Sequence, residues 1–200
     1  MRSADAFIAR AIGPILAICG GVGLVAAFIL AVEKLRIVED PSYIPTCSIN
    51  PILSCGSVMT TDQAEAFGFP NPFLGIAGFA IVGALGMALI GGARLARWNW
   101  LALQAGLTFA VVFVHWLIFQ SVYEIEALCP YCVVVWVVTI IAFVYCTLQN
   151  LAQRNLAVPD QVRGATDFAV QYHGVILTAW FGVLIVLIGE AFWDYWRTLP

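Results

Sequence analysis

Cys129-Pro130-Tyr131-Cys132-Val133-Val134-Val135-Trp136-Val137-Val138-Thr139-Ile140-Ile141-Ala142-Phe143-Val144-Tyr145-Cys146-Thr147-Leu148 decides the fold. Residues 130–148 carry no charge. At about 1.5 Å of rise per residue, a helix over them reaches across a hydrocarbon core roughly 30 Å thick. Lipid offers the backbone no hydrogen bonds, so such a run must be a helix that satisfies its own amides. Pro130 fits the first helical turn, where its missing N–H costs nothing. Cys129 then becomes the exposed cap residue, and Cys132 lies one turn deeper, at the membrane boundary. Three residues advance about 300° around the helix, so both sulfurs share one face. The positive end of the helix dipole favours thiolate there, and thiolate is the species that attacks disulfides.

Four similar runs, at 11–32, 72–93, 98–119 and 173–192, give five predicted membrane helices in an all-α bundle. The composition agrees: 62% hydrophobic, 10% charged, mean hydropathy +0.93. The run at 11–32 is too long for the apolar core of a signal peptide, roughly 7–15 residues. It is followed by Glu33-Lys34-Leu35-Arg36 instead of a small-residue cleavage site. With the N-terminus cytoplasmic, Arg2, Arg10, Arg94, Arg97, Arg154 and Arg163 lie inside and only Lys34, Arg36 and Arg197 outside. The expected location is therefore a cell (inner) membrane, crossed several times, with the lipid bilayer as environment. The net charge of −3 carries no sign of a nucleic-acid partner.

This topology puts Cys47, Cys55, Cys129 and Cys132 on the extracytoplasmic side, where disulfides persist. Cys47 and Cys55 lie in the one substantial outer segment, 33–71. Its charged start reads as a solvated extension of the first helix. Capping-box spacings in Thr60-Thr61-Asp62-Gln63-Ala64-Glu65 predict a short helix after Cys55. Phe67-Gly68-Phe69-Pro70 reads as a turn with interfacial aromatics, 91–97 as a tight inner turn, 149–167 as a polar inner linker, and Trp193, Tyr195 and Trp196 as an outer aromatic anchor. A redox relay is the favoured use of the four cysteines. Structural disulfides are an alternative, but closing the loop Cys47–Cys55 stabilises by only about 2.6 kcal/mol in the chain-entropy model. A four-sulfur metal site has the right ligand count but lacks a second closely spaced arm. Cys19 and Cys146 read as inert core residues. Asn71 reads as a helix N-cap, as a hydrogen-bond donor to a ligand carbonyl, or as both; Thr60 and Thr61 face the same choice. His115 reads as a neutral ring bonded to a neighbouring helix, and His173 as an inner-interface residue. Glu124 and Glu126, if close to Cys129, would oppose its thiolate.

Taken together, Cys47-x7-Cys55, Thr60-Thr61, Asn71-Pro72-Phe73-Leu74-Gly75 and Cys129-x-x-Cys132 resemble the vitamin K epoxide reductase family over roughly residues 11–148. The resemblance implies four helices around a quinone (menaquinone or ubiquinone), an outer loop covering it, and a fifth peripheral helix. It divides the chain into a catalytic core, 1–150, and a linker with the fifth helix, 151–200. It implies a membrane thiol-disulfide oxidoreductase supporting disulfide bond formation. Cys47 would exchange with a secreted thioredoxin-like dithiol protein, Cys55 would pass electrons to Cys129, and Cys132 would face the quinone. Asn71 matches the position that bonds the quinone carbonyl. Thr60 and Thr61 stand where relatives usually have serine, and Trp136 where tyrosine is common. Several bacterial members continue into a fused thioredoxin-like domain; this chain stops at Pro200, so a separate partner is expected. The alternative is a non-enzymatic membrane protein with structural disulfides or a four-cysteine metal site. Quinone oxidoreductases of the DsbB type carry their Cys-x-x-Cys in the earlier outer segment, the reverse of the order here.

Overall fold

Ser3–Glu39 forms one continuous helix, α1, whose 37 residues extend about 55 Å and so overshoot a bilayer core. It packs against α3 (Pro72–Ile90) and α5 (Pro130–Ala152), and α5 packs in turn on α4 (Arg97–Phe119). Between α1 and α3 lie α2 (Cys55–Met59) and a 3-10 turn, Asp62–Glu65. Three helices follow the core: α6 (Arg163–Gln171), α7 (His173–Ala191) and the single turn α8 (Trp193–Trp196). The computed structural model describes residues 3–156, 159, 161 and 163–197. Among these, five helices are long and apolar enough to cross a membrane, and no strand forms beyond one isolated bridge.

Glycine sets the closeness of α1 to α3. A Cβ on Gly20 would land on the Gly83 backbone, and one on Gly86 would land on the Ala17 backbone. Without water to drive helices together, such small residues allow the backbone approach that stabilises them in lipid. α3 and α4, by contrast, face each other across a cavity. α7 stands outside the four-helix core and has no fully buried residue of its own.

Several element ends differ from the sequence reading. α3 stops at Ile90, because Gly92 takes a φ of +86° and the Ala93 N–H bonds back to the Ala88 carbonyl, closing the helix. The segment 149–167 is not wholly a linker. Gln149 and Asn150 are buried in the last turns of α5, and α6 begins at Arg163. Asn150 donates to the Trp100 carbonyl and to Gln104 Oε1, which fixes this end of the bundle. The short helix expected from residues 60–65 forms as the 3-10 turn Asp62–Glu65, with Thr61 at its cap position but no side-chain cap bond. A further helix, α2, starts at Cys55 because Ser54 caps it by accepting the Ser57 N–H. Trp193 is exposed and Tyr195 half-buried; the Trp196 side chain and Pro200 lie outside the described residues.

Candidate active site

Two short stretches of main chain bring the cysteines together. The Asn50 carboxamide accepts the Ile52 and Leu53 N–H groups and shapes the turn before α2. Leu53 then pairs with Leu128 in a single parallel bridge: Leu128 N–H donates to the Ile52 carbonyl (2.7 Å) and Ser54 N–H to the Leu128 carbonyl (3.0 Å). Cys55 follows Ser54 and Cys129 follows Leu128, so the bridge sets the two in register. Their sulfurs lie 3.1 Å apart. Cys55 is disulfide-bonded to Cys47, with Cα atoms 5.6 Å apart, while Cys129 and Cys132 are thiols. This is a geometry for exchange: a thiol sulfur rests against one sulfur of a disulfide.

A segment of π-helix, Gln120–Glu124, delivers Leu128 to that place. It widens the end of α4, Ile125 N–H bonds back to Gln120, and Glu126 adopts a φ of +55° that turns the chain under the loop. Cys129 occupies the expected cap position with Pro130 in the first turn. It is not exposed, however: the loop covers it completely. A hydrogen bond from the Cys132 thiol, helped by the first N–H groups of α5, holds the Cys129 thiol below the usual cysteine range despite that burial. The acids expected to oppose this, Glu124 and Glu126, are exposed and contribute nothing to the shift.

Cys132 looks into a cavity of about 710 Å³. Its walls are apolar and come from α1, α3, α4 and α5; Trp136 and Thr61 also line it. Polar groups gather at its cysteine-bearing end: Lys34, Gln63, Asn71 and Gln120. These same groups tie down the loop. Lys34 Nζ donates to the Met59 carbonyl (2.7 Å) and pairs with Glu65 (2.8 Å). Asn71 Nδ2 donates to the Gln63 carbonyl (2.7 Å), Asn71 Oδ1 accepts the Ala66 N–H, and Gln63 reaches Gln120 (3.3 Å). Asn71 is thus at the N-cap position without making a side-chain cap bond. One Nδ2 hydrogen is used, leaving the second for another acceptor. Thr60 is exposed, bonds the Gly56 carbonyl and does not line the cavity, whereas Thr61 does, with its hydroxyl donated to Val58. Phe67 lays its ring on Phe113 and Phe109 of α4, beside the cavity.

The charged end of α1 is a solvated extension only in part: the helix runs on to Glu39 with Arg36 and Glu39 exposed, but its first two charges are not in water. Glu33 and Lys34 are both buried, and Glu33 accepts the Thr46 hydroxyl. Sequence reasoning missed this because charge after an apolar run usually marks water. The signal available was proximity in sequence to a loop that needed an anchor. His115 is the neutral ring expected. Trp180 Nε1 of α7 donates to its Nε2 (3.0 Å), which leaves Nδ1 to donate to the Val111 carbonyl. His173 stacks on Phe7 and meets Tyr145 edge to face. Cys19 and Cys146 are buried together in the core, in a cluster that contains none of the other four cysteines. Cys47, Cys55 and Cys129 have sulfurs within 4.8 Å of one another, but two of these share the disulfide and offer no thiolate pair to a metal.

The sequence matches the model of the vitamin K epoxide reductase family over residues 14–147. The chain belongs to that family. No curated protein matches it closely enough to be compared. Vitamin K epoxide reductase family members are quinone-reducing thiol oxidoreductases, so this is a multi-pass membrane enzyme with a quinone substrate, and the non-enzymatic reading falls. The family match covers both cysteine pairs and all four cavity-lining helices, and it ends before α6 and α7.

Proposed function

We propose that the enzyme carries two electrons from an extracytoplasmic thioredoxin-fold dithiol protein to a membrane quinone, and so supports disulfide bond formation. The approach of Cys129 to the Cys47–Cys55 disulfide is the observation that carries this reading. Cys47 receives the partner. It keeps slight exposure (6%) where Cys55 and Cys129 have none, and Ile44 and Ile49 beside it are 75% and 70% exposed, an apolar rim suited to a docking protein.

Each exchange conserves bonds. Partner thiolate attacks Cys47 and the Cys47–Cys55 bond breaks with its electron pair on Cys55. Cys55 attacks Cys129, releasing Cys132 as thiolate from the Cys129–Cys132 disulfide. Cys47, freed as the partner leaves oxidised, then attacks Cys55; the Cys47–Cys55 bond reforms and Cys129 departs as thiolate. The arrangement described above matches the product of that last step: loop disulfide closed, Cys129 and Cys132 reduced, Cys129 favoured as thiolate by Cys132 and the helix N-terminus.

The quinone supplies an acceptor for two electrons and two protons. The cavity fits such a molecule, with a polar end for a ring carrying carbonyls and a long apolar remainder for a hydrocarbon tail. Asn71 would hold a carbonyl with its second Nδ2 hydrogen, Thr61 and Trp136 would shape the walls, and Cys132 would face the ring; Thr60 acts only through the loop. Arginines at 10, 94, 97 and 154 support a cytoplasmic position for the opposite end of the bundle. The test is coupling in proteoliposomes: one quinone reduced per dithiol oxidised, abolished by Cys129→Ser. Dithiol oxidation that proceeds without quinone reduction would refute the reading.

A further inference from the structure

A second cavity, of about 700 Å³, opens at the arginine-bearing end between α1, α3 and α5. Its lining differs in kind from the first. Arg10 and Arg94 stand at it with Gln149 and Gln153, and among the described residues no carboxylate lines it. Both arginines are exposed; the Arg10 Nε donates to the Ala6 carbonyl, which leaves its terminal nitrogens free of that bond. Gln149 is 3% exposed, and its Oε1 accepts no hydrogen bond. Pro14, also in the lining, has no N–H to give the Arg10 carbonyl, so a second acceptor there lacks its usual helical donor. A buried acceptor without a donor, as at Gln149, is costly, and two neighbouring guanidinium groups form a site that suits an anion. Ile12, Leu89 and Ile90 supply an apolar wall alongside.

We infer that this cavity binds the headgroup of an anionic phospholipid that bears a hydroxyl, from the membrane leaflet at the arginine end. The phosphate meets Arg10 and Arg94, a headgroup hydroxyl donates to Gln149 Oε1, and an acyl chain follows the apolar wall. Basic pockets between membrane helices suit such headgroups. A choline headgroup has no hydroxyl to donate, and its cation would oppose the arginines. A free phosphate ion would leave the apolar wall unused.

The test uses the full-length protein, delipidated in detergent and titrated with three lipids of identical chains, read by native mass spectrometry. The lipids are phosphatidylglycerol, phosphatidylcholine and phosphatidylmethanol, the last having the phosphate without a hydroxyl. Phosphatidylglycerol should bind best. Arg10→Gln with Arg94→Gln should weaken it about 30-fold, while Arg36→Gln at the far end should not change it. Gln149→Leu should weaken phosphatidylglycerol about 5-fold and leave phosphatidylmethanol unaffected. If the double variant fails to fold, Arg94→Gln alone should cost about 5-fold. Equal binding of the three lipids, indifference to the arginines, or an equal effect of Gln149→Leu on both anionic lipids would overturn the assignment. Displacement of phosphatidylglycerol by inorganic phosphate would assign the site to a soluble anion and overturn it as well.

Discussion

Cys129 combines two demands that usually conflict, complete burial and readiness to be a thiolate. Burial alone would raise its pKa; the Cys132 thiol and the N–H groups of α5 reverse the direction. Thiolate should therefore appear at lower pH than the roughly 8.5 of a free cysteine. Following the thiolate ultraviolet absorbance lost in Cys129→Ser gives the midpoint. Cys132→Ala removes the donor and should move that midpoint up, whereas Cys132→Ser, which can still donate, should move it less. An unmoved midpoint in Cys132→Ala would give the helix end the whole effect. Asn71 makes the second residue-scale case. Asn71→Ala should weaken quinone binding by about 1–3 kcal/mol, since a buried carbonyl loses its donor. Quinone titration of the reduced enzyme measures this. Exchange between loop and partner should persist, although the variant also loses two tethers of the loop.

At the scale of elements, the spans were legible because apolar length in a bilayer has one structural answer. The four cysteines were legible as two pairs from their spacing and topological side. The approach of Cys55 to Cys129 was not, because it depends on the Leu53–Leu128 bridge and on the π-helical end of α4, neither of which has a sequence period. The burial of Cys129 escaped for the same reason: a cap position reads as exposed until the loop that roofs it is placed. That roof is held by α1 through Lys34, by Asn71 at the start of α3, by Gln120 at the end of α4, and by Leu128 just before α5. Lys34→Ala should strip a donor from the buried Met59 carbonyl and free Glu65. Amide hydrogen exchange in 59–66 should then quicken roughly 5- to 150-fold, the equivalent of about 1–3 kcal/mol. Unchanged exchange there would show that the remaining tethers suffice.

For the whole molecule, the bundle separates two tasks by helix pairing. Glycine brings α1 and α3 to close contact and α4 is fixed to α5, so the space between α3 and α4 remains for a ligand, with the cysteines roofing one end. α7 adds to this from outside, through Trp180 on His115. In the proposed relay, electrons cross from the loop to α5 through Cys55 and Cys129. Removing the competing sulfurs isolates that contact. In the variant Cys47→Ala with Cys132→Ala, mild oxidation in native membranes should join Cys55 to Cys129, detected by mass spectrometry of the linked peptides. The matched variant Cys47→Ala with Cys129→Ala should join Cys55 to Cys132 far more slowly. Equal rates in the two variants, or no Cys55–Cys129 link at all, would contradict the relay.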